Sequence, residues 1–261
     1  MENLAAEPIQ SKSMQNLRSH IPFVLIALCS SFLFPQQSSS QTRRSATQTA
    51  TPTPTPTPTP QSRERRSIPE VEDAMSRGED LLFKKHDAKA ALEEFKRASK
   101  LDPWYGQLYM LQGLAHMQLQ QWSEAQWSFE EAAKVEPGNA KAYLGAGSAL
   151  NEQKEYGAAQ KALQRSLEIR PDLAEAHYEL ARSLWGQGKW QAAEPHVRQA
   201  IELNEDYAGP HMLMGNIDIQ REDPEAALAE FQKCLQLDPD GALAPAVKAM
   251  IAQLQKALGK E

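Results

Sequence analysis

The sequence predicts an all-α fold, a solenoid of five helix–turn–helix repeats closed by a C-terminal helix. Three residue types recur every 34 positions along the chain. The first is an alanine, at Ala91, Ala125, Ala159, Ala193 and Ala227. The second is a proline, at Pro103, Pro137, Pro171 and Pro239, with Glu205 in the remaining slot. The third is a small residue, at Gly113, Gly147, Ala181 and Gly215. Self-similarity at such a period indicates stacked repeats.

Residues 1–40 are predicted to be a secretory signal region. The apolar run of residues 21–34 is shorter than the roughly 20 residues that a membrane-spanning helix needs. Ser38 and Ser40 follow it and provide a small-residue cleavage zone. Met14 is an alternative start, because the segment before the apolar run then contains one arginine and no acid. The alternatives to cleavage are a membrane tether through residues 21–34 and acylation of Cys29.

Residues 41–67 are predicted to be a disordered linker. Five Thr-Pro dipeptides run from Thr51 to Pro60, and proline removes every second backbone donor from this run. The run therefore favours polyproline II over roughly 31 Å. We interpret it as a spacer, with an O-glycosylated stalk or a ligand of proline-reading domains as the alternatives.

Each repeat in residues 68–239 is predicted to be a pair of packed helices. Four residues after each recurrent alanine lies a larger apolar residue, at Phe95, Phe129, Leu163, Val197 and Phe231. Three residues further lies a small one, at Ala98, Ala132, Ser166, Ala200 and Cys234. Offsets of four and three put all of these on one helix face. An aromatic residue starts the second helix in three repeats (Trp122, Tyr156, Trp190), and the proline ends it.

This pattern resembles the tetratricopeptide repeat, with copies at about 70–103, 106–137, 140–171, 174–205 and 208–239. The resemblance implies a right-handed superhelix that binds proteins. Two departures are visible. The first copy has one extra residue between Gly78 and Ala91, which predicts a distorted first helix or turn. The fourth copy has Pro195 early in its second helix, which predicts a bend.

Residues 240–261 are predicted to cap the array. Val247, Ile251, Leu254 and Leu258 recur at helical spacing within 242–258. A solenoid needs such a helix to cover its last apolar face, and Gly259 follows as a stop signal.

The resemblance implies a concave groove lined by positions 2, 5, 6, 9, 12 and 13 of each repeat. Position 5 is apolar in all five copies and position 12 in four of the five, which predicts binding of an apolar or amphipathic peptide or helix. The predicted partner-binding residues are Met110, Leu114, Met117, Leu144, Tyr178, Arg182, Trp185, Met212, Asn216 and Ile219. The alternative is that these residues pack between repeats, since spacing alone does not separate the two.

Composition and charge exclude several other classes. Two cysteines exclude a disulfide scaffold. Residues 1–70 contain seven Lys and Arg and four Asp and Glu, whereas residues 71–261 contain 21 and 30. An acidic body repels phosphate backbones, so no nucleic-acid partner is expected. The basic tail residues are interpreted as a solvated linker flank, with contact to anionic lipid or polysaccharide as the alternative.

No catalytic constellation is recognised, and no metal or cofactor is expected. His177 and His211 share position 4 of adjacent repeats and are predicted to be packing or surface histidines. Cys234 occupies the small buried slot and is predicted to be an inert thiol. The sequence thus predicts an exported bacterial scaffold, periplasmic or secreted, that binds one or more proteins and is not an enzyme. The alternatives are a cell-wall-binding module, an accessory subunit in pilus, outer-membrane or secretion assembly acting through other surfaces, and a homo-oligomer formed through the groove.

Overall fold

The computed structural model describes residues 68–259. The predicted signal region with its membrane tether, the Thr-Pro linker and residues 260–261 lie outside the described residues. The regular elements of the described part are all helical. They are α1 (Pro69–Glu79) with a π-helical turn (Asp80–Lys84), α2 (Ala88–Leu101), α3 (Gly106–Gln118), α4 (Trp122–Val135), α5 (Ala140–Glu152), α6 (Tyr156–Ile169), α7 (Ala174–Gly186), α8 (Trp190–Leu203), α9 (Ala208–Gln220), α10 (Pro224–Leu237) and α11 (Ala244–Ala257).

Consecutive helices pack against each other along the whole array, which confirms the predicted all-α solenoid. Because short loops join the helices, neighbours are antiparallel and the odd-numbered first helices all point the same way. The array therefore has two edges. The proline edge contains the start of α1 and the loops 102–105, 136–139, 170–173, 204–207 and 238–243. The turn edge contains the loops 85–87, 119–121, 153–155, 187–189 and 221–223. The second helices of repeats two to four begin at Trp122, Tyr156 and Trp190, as predicted.

Every turn between a first and a second helix contains one residue with positive φ. These residues lie 34 apart, at His86, Gln120, Lys154, Gly188 and Glu222, with φ of 55°, 57°, 63°, 75° and 64°. In the turn after α5, the amide of Lys154 donates to the carbonyl of Asn151, and that of Glu155 donates to the carbonyl of Leu150, both at 2.9 Å. Such paired bonds satisfy carbonyls that a helix end leaves open. The left-handed residue thus fixes the turn even where it is not glycine.

Small residues let the two helices of a repeat approach closely. A Cβ atom on Gly113 would lie 2.6 Å from Cε1 of Phe129, and one on Gly78 would overlap the ring of Phe95. In the fourth repeat, Ala181 replaces the glycine and the smaller Val197 replaces the phenylalanine, and both are fully buried. The smaller side chain on α8 therefore makes room for the larger one on α7, as close packing requires.

The first repeat accommodates its extra residue in the π-helical turn. The amide of Lys85 donates to the carbonyl of Asp80 at 3.1 Å, five residues earlier. One additional residue per turn is characteristic of a π-bulge, so the predicted distortion lies at the C-terminal end of the first helix. In the fourth repeat, α8 extends from Trp190 to Leu203 with Pro195 inside it, and the bend at Pro195 stays a prediction.

The capping helix α11 closes the core as predicted, although it begins at Ala244 and ends at Ala257. Val247, Met250 and Leu254 are buried against the last repeat. Lys248, Gln253 and Lys256 lie on the opposite face and are exposed. A polar outer face of this kind is what ends a solenoid without leaving apolar surface open.

Candidate functional site

Most of the predicted partner-binding residues lie inside the molecule. Eight of the ten are at most 6% exposed, namely Met110, Met117, Leu144, Tyr178, Arg182, Met212, Asn216 and Ile219. Their burial favours the packing alternative, because side chains held between neighbouring first helices present little surface to a partner. Leu114 and Trp185 are only partly buried. Partner binding stays a prediction, and it rests on these two side chains.

A charged cluster links α5 and α7 at the middle of the array. Arg182 donates from Nη2 to Oε1 of Glu152 at 2.8 Å, and from Nη1 to both carboxylate oxygens of Glu179 at 3.0 Å. Asn151 donates from Nδ2 to Oε2 of Glu179 at 2.8 Å and accepts from the hydroxyl of Ser183 at 2.7 Å. We call these five residues the Arg182 cluster.

The Arg182 cluster is a buried network with an excess of negative charge. The side chains of Arg182, Glu152 and Glu179 are 5%, 5% and 4% exposed. One guanidinium faces two carboxylates, and the ring centre of Tyr178 lies 5.9 Å from the guanidinium carbon. An incoming carboxylate would meet two like charges, whereas an incoming cation would be attracted.

Only Arg182 of this cluster was among the predicted site residues. Its partners Glu152 and Asn151, which sequence reasoning missed, come from a different repeat. They lie 30 and 31 residues before Arg182 rather than at the 34-residue step. One feature of the sequence could have pointed to this cluster. Asn151 is the polar residue at position 12, where the other four repeats have Leu82, Met117, Trp185 and Ile219.

The two histidines at position 4 have different partners. Nε2 of His177 lies 3.0 Å from the carbonyl of Pro171 and donates to it, and Nδ1 of His177 lies 3.1 Å from Nδ1 of His196. Burial, together with the neighbouring His177, lowers the pKa of His196. Nδ1 of His211 lies 2.7 Å from Oε2 of Glu230. No group of three or more His, Cys, Asp and Glu in the described part of the chain is arranged to hold a metal ion.

Asp218, on α9, is a further buried acid outside the Arg182 cluster. Burial and the neighbouring charge of Glu230 raise its pKa to about 6, and Arg221 and Arg198 partly oppose this shift. The guanidinium of Arg221 is 3.8 Å from Asp218 and 2.9 Å from Glu194 of α8. This network joins the fourth and fifth repeats, as the Arg182 cluster joins the third and fourth.

Two tryptophan side chains of the described residues are exposed, and neither was among the predicted groove residues. Trp104 is 78% exposed in the loop before α3, and Trp127 is 54% exposed on α4. The Trp127 ring packs edge-on against Tyr109, with ring centres 6.2 Å apart. Among residues 68–259, no helix is both long enough and apolar enough to span a bilayer.

The comparisons with known proteins agree with this architecture. The tetratricopeptide repeat family matches the chain over residues 110–174, 150–217 and 208–240. No curated protein matches the sequence significantly. Solved structures do match. Because each of those named here is less than 25% identical to this chain, the likeness shows a shared fold and nothing more. MamA from Desulfovibrio magneticus RS-1 is 19% identical, with a TM-score of 0.57, over 65% of this chain and 96% of that chain.

Two further solved structures cover more of the chain. A thermophilic tetratricopeptide protein of Thermus thermophilus is 18% identical, with a TM-score of 0.58, over 72% of this chain and 98% of that chain. PilW, a widely conserved type IV pilus biogenesis factor, is 16% identical, with a TM-score of 0.65, over 74% of this chain and 88% of that chain. Five in-phase helical pairs, the glycine–phenylalanine contacts that recur within them and the family matches along them lead to one conclusion: the chain belongs to the tetratricopeptide repeat family.

Proposed function

We propose that this protein is a non-catalytic interaction scaffold of the bacterial cell envelope that binds a segment of a partner protein along its first helices. The observation that carries the proposal is the partial exposure of two apolar side chains on first helices, Leu114 on α3 and Trp185 on α7. The buried Arg182 cluster joins α5 to α7 on the same helix as Trp185 and gives that part of the array a net negative charge. A rigid repeat array presents such residues without prior rearrangement, which limits the entropy cost of binding.

The chemistry of the site favours an amphipathic segment with a basic residue. Trp185 supplies a large contact area at low entropy cost. The Arg182 cluster is buried, so it acts through its net negative charge and not through direct contact, and this charge favours a basic residue nearby and disfavours an acidic one. The segment binds as a helix or in extended form, as peptides commonly do in apolar grooves.

The proposed location follows from the sequence. A short apolar run with a small-residue zone is typical of a secretory signal, and the Thr-Pro linker would hold the body away from a membrane or wall. Export to the periplasm or the medium, with or without a tether through residues 21–34, is therefore part of the proposal.

The test is affinity capture from the envelope fraction of the native host, with mass spectrometry. The wild-type chain runs beside the Leu114→Ala/Trp185→Ala variant and beside Trp127→Ala as a matched aromatic control on α4. We expect one defined protein that the wild type and the control retain and the double variant loses. Circular dichroism and thermal melting verify that both variants are folded. Equal recovery of every partner by all three proteins contradicts groove binding.

A second candidate is an accessory subunit of a pilus or secretion assembly that uses its outer surface. The likeness to PilW, at a TM-score of 0.65, and the exposed Trp104 and Trp127 support this candidate. It predicts the opposite pattern in the same capture experiment. Trp127→Ala would lose the partner, and the groove variant would keep it.

A further inference from the structure

The proline edge of the array is strongly acidic. Its five interhelix loops contain Arg170 as the single basic residue among seven acids, Asp102, Glu136, Asp172, Glu205, Asp206, Asp238 and Asp240. Glu70 and Glu72 add two more acids in the first turn of α1. The loops of the turn edge are balanced, with four acids and four bases. The charge asymmetry therefore belongs to one edge of the molecule.

Helix dipoles do not account for this asymmetry. Acids stabilise the N-terminal ends of the first helices, which lie at the proline edge. The same loops follow the C-terminal ends of the second helices, where negative charge is unfavourable. Because both kinds of helix end meet at this edge, their effects on an added carboxylate largely oppose each other. The excess negative charge is thus available to attract a cationic ligand.

Trp104 marks one position on this edge. Its side chain is 78% exposed, and its backbone amide donates to Oδ1 of Asp102 at 3.1 Å. The equivalent positions of the other loops, each 34 residues further, are Gly138, Asp172, Asp206 and Asp240. An exposed indole beside acids is the combination that recognises proline-rich segments with nearby arginines.

The chain itself contains such a segment next to this edge. The Thr-Pro run ends at Pro60, and Arg63, Arg65 and Arg66 follow it. The described chain starts at Ile68, directly before α1, which begins on the proline edge. The stretch from Pro60 to Ile68 extends to roughly 28 Å. The axes of α1 and α3 are at most two packing distances apart, about 16–20 Å, so the run can reach Trp104.

We propose that residues 51–66 dock on the proline edge of the same molecule, with the Thr-Pro run against Trp104 and the arginines against the acids beside it. This inference does not depend on the proposed groove function. A docked segment holds the body close to whatever precedes residue 51, and a competing basic, proline-rich ligand would release it and lengthen the spacer.

The test is site-specific photocrosslinking in the full chain, kept in mild detergent. p-Benzoylphenylalanine replaces Thr57, and the crosslinked peptides are mapped by mass spectrometry. We expect crosslinks within 101–105 and the neighbouring loop 136–139. Trp104→Ala should lower their yield about fivefold, whereas Trp127→Ala, the other exposed tryptophan of this repeat, should leave it unchanged. Both substitutions are at exposed side chains, and melting curves verify the fold.

Two further arms identify the forces and the occupant. In the chain that keeps Trp104, the crosslink yield should fall when the arginines are reversed in charge (Arg63→Glu/Arg65→Glu/Arg66→Glu). It should also fall in 1 M NaCl, where the Debye length is about 3 Å. Mixing isotopically labelled and unlabelled chains separates contacts within a molecule from contacts between copies. Crosslinks between copies, crosslinks confined to the first-helix groove, or an undiminished yield with Trp104→Ala would each overturn the proposal.

Discussion

Among single residues, Asp218 has the clearest energetic consequence, because its ionised form is disfavoured in the folded state. Its pKa is raised to about 6 by burial and by Glu230, and an unfolded aspartate titrates near 3.9. The contribution of Asp218 to stability should therefore be most favourable below about pH 4, fall as the pH rises toward 6, and stay lowered above it. Asp218 thus acts against folding at neutral pH.

We expect Asp218→Asn to stabilise the protein at pH 7.5 by about 1–2 kcal/mol, below the upper limit of about 3 kcal/mol that the pKa shift sets. At pH 3.5 the gain should vanish, since the wild-type carboxyl is then largely neutral in both states. Urea denaturation of the two proteins at both pH values measures this. Asp206→Asn, in an exposed loop, is the control. An equal gain at both pH values would assign the effect to packing instead of charge.

Within each helix pair, the contact between the small residue and the bulky ring sets the distance between the two helices. We expect Gly113→Ala to destabilise the second repeat by about 1–3 kcal/mol, because its Cβ would lie 2.6 Å from the Phe129 ring. Adding Phe129→Val reproduces the Ala181–Val197 pair of the fourth repeat and should recover part of the loss. A double-mutant cycle from thermal or urea unfolding gives the coupling energy.

The matched control is Gly157→Ala on α6, where a Cβ meets no atom within 4 Å. It should be neutral or slightly stabilising, since alanine favours helix over glycine. A cycle with no coupling between Gly113 and Phe129 would show that the repeat adjusts by another route.

At this scale the sequence was a good guide to the structure. The 34-residue period located each helix pair, and the one-residue insertion correctly predicted a distortion in the first repeat. The groove was harder, for a physical reason. Residues that pack against a neighbouring helix and residues that face the groove recur at the same spacing along a helix. The sequence therefore could not tell the buried Met110 and Tyr178 from the partly exposed Leu114 and Trp185. Relative rotation of adjacent repeats decides which of these residues is covered, and no local pattern encodes it.

For the molecule as a whole, the Arg182 cluster couples the two halves of the array. We expect Arg182→Met to cost about 3–5 kcal/mol, because it leaves Glu152 and Glu179 buried together without a cation. Hydrogen exchange should then accelerate in α5–α8 more than in α1, α2 and α11, since repeats contact only their neighbours. Adding Glu152→Gln and Glu179→Gln should restore part of the stability.

Arg198→Met is the control for that experiment. Arg198 pairs with Glu194 at 2.7 Å but is 58% exposed, so its removal should cost less than about 1 kcal/mol. Similar losses for the two arginine variants would show that the buried cluster contributes no special coupling between the halves.

The π-helical turn has a mechanical consequence. A pulling force that enters through residue 68 acts on α1, an end helix that packs mainly on α2 and has Asp80–Lys84 as its irregular C-terminal continuation. Tension along the array is roughly perpendicular to the helices, so α1 would be unzipped from α2 one turn at a time. The first repeat would therefore unfold and lengthen at a lower force than the inner repeats, which have neighbours on both sides.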